Sequence, residues 1–185
     1  NFVKTTISPV ISVDGFYTVH YYDYGKKFKF EGESHDFWEI IYIDRGKATI
    51  IADDKTMELT QGEAFFHKPN QFHAVEVTDF ASSIIVSFSM SGQTDFFENK
   101  KAKLTSAQRT LLSNLVVECA QSFDDPLSDI YQREMHLRSN APIGCTQLMR
   151  CYLENFLISL IRTGDFGVNE KITKPSSDAE LTLRI

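Results

Sequence analysis

HDFWEIIYIDRG, residues 35–46, decides how the rest of the chain is read. A histidine and a glutamate stand four apart in a run that is otherwise bulky and apolar. Side chains of a strand alternate faces, so His35, Phe37, Glu39, Ile41 and Ile43 share one side, and of Glu39 and its neighbour Trp38 one faces away from the interior, the reading here favouring an inward Glu39. An imidazole and a carboxylate on one side of a buried-looking strand have three readings. They hold a metal, they line a polar ligand pocket, or they are core polar groups that have found partners. Burying a carboxylate without donors is costly, so an inward Glu39 needs them.

Working outward, residues 11–90 read as strands separated by turn signals. ISVDGFYTVHYYDY carries Asp14-Gly15 as a turn ahead of an aromatic-rich strand. WEIIYI and KATIIA flank Asp44-Arg45-Gly46, which reads as a tight hairpin connection. Asp53-Asp54, Gln61-Gly62 and Pro69-Asn70 mark further turns between TMEL, EAFFH and FHAVEV, and SSIIVSFSM closes the set. Short strands at this spacing predict an antiparallel sandwich or barrel over residues 11–92. The fifteen Phe and seven Tyr, most of them before residue 100, suit strands.

Residues 104–163 read as helices. Thr105 and Gln108 fit a capping box, and Leu112, Leu115, Val116, Cys119 and Phe123 follow as an apolar stripe that Asp124-Asp125-Pro126 ends. A further helical piece is expected at about 127–138. PIGCTQLMRCYLENFLISLIRTG then starts at Pro142 and stops at Gly164. Met149, Leu153, Phe156 and Leu160 lie along one face, widened by Tyr152, Leu157 and Ile161. Packing on the strands and sharing with a second subunit both explain such a face. The stretch 164–176 is polar and reads as a linker. Ser177-Asp-Ala-Glu180 repeats the capping-box pattern, and LTLRI follows it. An isolated helix of fewer than about 12–15 residues is marginal in water, so the sequence reads as a fragment with more beyond Ile185.

Length and charge bound the function. At 185 residues the chain can bury a core without staples. A net charge of -6 argues against this piece gripping a phosphate backbone on its own. Cys119, Cys145 and Cys151 show no CxxC spacing and read as reduced cysteines of a cytoplasmic protein. No run predicts a membrane span or a basic, apolar leader. No Ser-His-Asp order and no glycine-rich phosphate loop is present.

With these residues in view, the strand half resembles a cupin barrel. Glu33, His35, Glu39 and Gly46 fall on the cupin pattern H-x-H-x(3,4)-E-x(6)-G, with Glu33 in place of the first histidine. Gly62, Pro69 and His73 follow the order of a second cupin motif at irregular spacing, and Val77 stands where its asparagine would be. More narrowly, HDFWEIIYIDRG, ELTQGEAFFHKPNQFHAV, LENFLISLIR and SDAELTLRI resemble, in that order, the amino-terminal sensor domain of AraC-type transcription regulators.

The resemblance implies a mainly β fold: a cupin-like antiparallel barrel, a double-stranded β-helix or jelly roll, followed by an α-helical dimerisation segment. It implies a mobile arm at 1–10, an effector-binding barrel at 11–92 and a dimerisation segment at 104–163. Residues 164–185 would be a linker and the start of a helix toward an absent helix-turn-helix half. The expected function is binding of a small polar molecule, a sugar among the candidates, to control DNA binding by that half. The expected ligand-binding residues are His35, Glu39, His73, Trp38, Phe37, Tyr22 and Phe66. The expected subunit contacts are Met149, Tyr152, Leu153, Phe156, Leu157 and Leu160. His20 and His67 are expected to be structural or surface residues. No cofactor and no catalysis are expected. The alternative is a metal-dependent cupin enzyme, an isomerase or dioxygenase, with His35, Glu39 and His73 as ligands.

Overall fold

The computed structural model describes residues 1–163. Eight strands come first: β1 (Ile11–Tyr24), β2 (Phe28–Glu33), β3 (Trp38–Ala52), β4 (Lys55–Thr60), β5 (Glu63–His67), β6 (His73–Val77), β7 (Ala81–Gly92) and β8 (Lys101–Lys103). Two helices follow, α1 (Ser106–Ser122) and α2 (Cys145–Thr163). The architecture is therefore mainly antiparallel β with two carboxy-terminal helices. Residues 1–9 carry no regular structure and are exposed. No described helix is long and apolar enough to cross a membrane.

The strands form two sheets that share β3. The first runs β1-β7-β3-β5-β8; the second is built from β4, β3, β6 and β2. The first half of β3 pairs with β7 and β5, and its second half with β4 and β6. The expected hairpin at Asp44-Arg45-Gly46 is thus not a hairpin. The ladder with β7 shifts register between Ile43 and Arg45, and Gly46 sits at φ 72, so the strand bends from one sheet into the other. A Cβ at Gly46 would collide with the carbonyl oxygen of Phe80. Glycine alone fits that combination of left-handed φ and close backbone approach. Asp14-Gly15 is likewise not a turn: β1 runs through it with register shifts between Val13 and Gly15 and between Phe16 and Thr18.

The expected closed barrel is corrected to an open roll. Among the described residues no ladder joins β1 to β2, so no strand pairing closes the far edges of the two sheets, which meet only through side chains such as Tyr24 and Phe28. The turns at Asp53-Asp54, Gln61-Gly62 and Pro69-Asn70 fall where the sequence places them.

Each face of the first sheet has its own cover. Trp38, Ile40 and Tyr42 alternate with Glu39 and Ile41, and they join Phe66, Val86 and Phe88 in a core completed by α1 and α2. Ile41, Ile43, Phe65 and Tyr24 face the second sheet and pack with Ile50, Leu59, Val75 and Val77. Helix α1 begins with the expected capping box: the Thr105 side chain accepts from the Gln108 amide, and Gln108 returns a bond to the Thr105 amide. Its Leu112, Leu115 and Cys119 are buried. On α2, Met149, Leu153, Phe156, Leu157 and Leu160 are at most 1% exposed. That stripe is spent on the chain's own sheet, so five of the six expected subunit contacts have no surface left to offer. Only Tyr152 keeps some.

One further reading changes. Residues 127–138 are not helical; they form a loop that crosses the rim of the strand half. The short β8 and a 3-10 turn at Thr94–Phe97 carry no sequence signal. The linker and helix onset expected at 164–185 lie outside the described residues.

Candidate functional site

A cavity of about 210 Å³ opens between the two sheets. A single water needs roughly 10–15 Å³ by the same kind of measure, so a small organic molecule has room. Side chains from β1, β2, β3, β6 and β7 line it, together with Ile130, Gln132 and Arg133 of the loop after α1.

Strand pairing builds its floor. Glu39 stands opposite Ser87 on β7 and opposite His67 on β5, and Ser87 stands opposite Thr18 on β1. Directly opposed residues share a face, so Thr18, Ser87, Glu39 and His67 form one polar row across four strands. The Ser87 hydroxyl donates to Glu39 Oε2 at 2.8 Å, and the Thr18 hydroxyl donates to Ser87 Oγ at 3.1 Å. The row stays hydrogen-bonded although Glu39 is only 8% exposed.

Imidazoles surround the carboxylate. His35 Nε2 lies 3.6 Å from Glu39 Oε2, and His73 Nε2 lies 3.4 Å from Oε1. Each ring is held from behind: His35 Nδ1 is 3.1 Å from the Phe37 carbonyl, and His73 Nδ1 is 3.0 Å from the Gln71 carbonyl. A carbonyl only accepts, so both Nδ1 atoms carry the proton. Nε2 of both rings is buried and has no hydrogen-bond partner. His67 stacks on His73 at 4.4 Å between centroids.

Burial and charge compete here. Burial pushes the Glu39 carboxyl up, but His35 and His73 outweigh it and hold its pKa at about 2. Burial works against a charged His35, yet Glu39 raises its pKa above the ordinary histidine value. His67 lies deeper, and burial, aided by His73, pushes it down to about 3. Burial also lowers His20.

The walls are aromatic. Tyr17, Phe37 and His35 form a three-ring stack with centroid spacings of 3.8 and 3.7 Å, and Tyr24, Phe28 and Phe30 stand elsewhere in the lining. Apolar walls with a few convergent polar groups are the usual make-up of a small-molecule site.

The structure thus brings His35, Phe37, Glu39 and His73 together around one cavity. It does not bring Trp38, Phe66 or Tyr22 there. Trp38 alternates with Glu39 and turns to the helix side, and Phe66 lies in that same core, 5.1 Å from the Phe97 ring. Tyr22 packs edge-on to Tyr24 at the margin of the second core. His20 and His67, expected to be structural or surface residues, are both buried, and His20 lines the cavity. Ser87, Thr18, Tyr24 and the loop residue Arg133 belong to the lining and carried no sequence signal.

The cupin pattern implies a metal, and the residues fit one. Ligand atoms of Glu33, His35, Glu39 and His73 all lie within 4.8 Å of one another. Two imidazoles with free Nε2 and Nδ1–H fixed on a carbonyl present the donor set and outer contacts of a histidine-carboxylate metal site.

Residues 15–108 match the model of a family described as AraC-like ligand binding domain. No curated protein matches the chain. Among solved structures, the chain is similar to a cupin superfamily protein from Desulfitobacterium hafniense, with 11% identity, TM-score 0.39, 47% of this chain and 84% of that one. A conserved protein of unknown function from Streptococcus pyogenes gives 12% identity, TM-score 0.39, 48% of this chain and 91% of that one. An RmlC-like cupin from Shewanella frigidimarina gives 18% identity, TM-score 0.36, 42% of this chain and 73% of that one.

Proposed function

Because the chain belongs to the AraC-like ligand binding domain family, we propose that it is the effector-sensing part of a transcription regulator and takes up a small polar molecule between its two sheets. The observation that carries this reading is the buried Glu39 with its ring of imidazoles, set in a cavity with aromatic walls. A polyhydroxylated ligand suits such a site. Its hydroxyls would exchange bonds with Glu39 and the free Nε2 atoms, and its apolar face would lie against the rings.

In this reading the ligand favours one arrangement of the helices and of a DNA-binding half beyond Ile185. Such a shift requires different affinity for the two arrangements. Two subunits would meet through the helical segment, at the apolar groups α1 and α2 leave exposed: Val117, Leu148 and part of Tyr152.

A thermal-shift screen of sugars and small metabolites tests the pocket, since a ligand that prefers the folded state raises its Tm. A hit should weaken on Glu39→Gln; unchanged affinity in that variant would move the pocket elsewhere. Sedimentation showing a monomer at high micromolar concentration would remove the dimer and leave the pocket untouched.

The two unpartnered Nε2 atoms favour a second reading, a divalent transition ion held by His35, Glu39, His73 and Glu33. Such an ion would supply Lewis-acid or redox chemistry to a cupin enzyme. Near-stoichiometric metal in protein purified without chelator, lost on His35→Ala or His73→Ala, would put this reading first.

A further inference from the structure

The loop between α1 and α2 has a pinned base and a loosely held tip. At the base, the Asp124 amide donates to the His136 carbonyl at 2.9 Å and the Arg138 amide to Ser122 at 2.9 Å. Arg138 Nε donates to the Phe123 carbonyl at 2.8 Å, and the Asp125 carboxylate accepts from both the amide and the ring of His136. Above the base, the Tyr21 amide donates to the Leu127 carbonyl at 3.0 Å and the Leu127 and Met135 side chains pack against the helix-side core, which leaves residues 129–133 as the loosely held tip. Arg133 reaches back to Glu33 at 2.9 Å. The tip nevertheless supplies Ile130, Gln132 and Arg133 to the rim of the cavity.

We propose that this loop is a hinged gate over the cavity, latched by the Arg133–Glu33 ion pair. The inference rests on the reading of that cavity as the ligand site. A compact loop with joined ends moves as a unit about its neck. Segments open most readily where backbone hydrogen bonds to the rest of the fold are few, and here the neck is richer in them than the tip. The latch is weak by construction. The Arg133 side chain is 78% exposed and that of Glu33 29%, so water and salt compete for both. A gate must open readily, and a strong buried tie would prevent that. Beneath it lie Glu39 and His73, 8% and 3% exposed, which a ligand reaches only when the cover lifts.

Carbethoxylation of histidines by diethyl pyrocarbonate, followed site by site with mass spectrometry on the intact chain, reads the gate without a ligand. His73 reports access to the cavity; His136, on the exposed side of the neck, reports reagent strength and neck integrity. In the native chain the His73 rate should rise with salt more steeply than the His136 rate, whose own exposed ion pairs with Asp125 and Glu134 salt also screens. Arg133→Ala should raise the low-salt His73 rate by roughly two- to fivefold, the scale of one exposed ion pair, and abolish its salt response. Glu33→Gln should do the same. A His73 rate and salt response unchanged in both variants would overturn the latch. A rise at His136 on Arg133→Ala at constant salt, matching that at His73, would overturn the hinge, because the neck itself would then be opening. A ligand screen without hits would sink the ligand reading and leave these rates as they are.

Discussion

The two faces of the first sheet are built from the same strands and serve opposite ends. Trp38, Ile40, Phe66, Val86 and Phe88 face the helices in a dry, closed core. One residue along, Glu39, Ser87, Thr18 and His67 face the other sheet as a polar row beside a cavity. A strand's period of two lets one backbone carry both without compromise. The helix face holds the sheet together, and the cavity face is left free to be polar because stability is supplied from behind.

The largest expected effect breaks the dry side. Phe66 is fully buried. Phe66→Ala should cost about 3–5 kcal/mol in urea unfolding, the usual range for a lost core aromatic. Ser87→Ala, a change of similar register on the polar face, should cost far less. Equal losses from both would erase the division of labour between the faces. Gly46→Ala comes next. It places a side chain at φ 72 against the Phe80 carbonyl, and strain of about 1–3 kcal/mol should appear as a lowered midpoint.

Acid sharpens the comparison from the polar side. His67 is held neutral in the fold down to about pH 3, whereas the unfolded chain protonates it from 6.5 downward. The unfolded state therefore binds more protons, and stability should fall as pH drops from 6.5 toward 3. Glu39 adds to this below its ordinary 4.5. Its ionised form is favoured in the fold down to about 2, so its contribution is present above 4.5 and fades toward 2. His67→Asn should flatten the upper part of the profile and leave the lower part. A profile unchanged by that substitution would mean His67 is not the group responsible. Glu39→Gln keeps the shape of the side chain but removes the buried charge that His35 and His73 face, so at neutral pH it should lower the urea midpoint, erase the lower part of the acid profile and leave the upper part, alongside the loss of ligand binding described above.

What the sequence tells of the site follows from which signals are local. The expected alternation holds only from Trp38, where β3 starts; His35 and Phe37 lie in the bend before it and reach Glu39 and His73 through that bend and their ring stack rather than through strand alternation. The same alternation turns Trp38 away. Alternation fails in β1, where two register shifts reset the facing before Thr18 and His20, so those cavity residues cannot be counted from Ile11. Asp44-Arg45-Gly46 reads locally as a hairpin, but β7 and β5 on one half and β4 and β6 on the other keep the strand going. Such pairing is long-range and leaves no mark in the segment itself. Leu127, Ile130, Tyr131 and Met135 mimic a helical stripe. Their loop instead spends Ile130 on the cavity rim and packs Leu127 and Met135 against the core.

Strand β3 is a single unbroken beam with its two ends built into different walls. Its first half belongs to the sheet that is also the shelf for α1 and α2, which meet it chiefly at β1. A guest that wedged the walls apart would put that beam in flexure about the Gly46 bend, and the shelf would tip. Swelling at the pocket would then become rotation at the helices through main chain alone, with no relay of side chains in between.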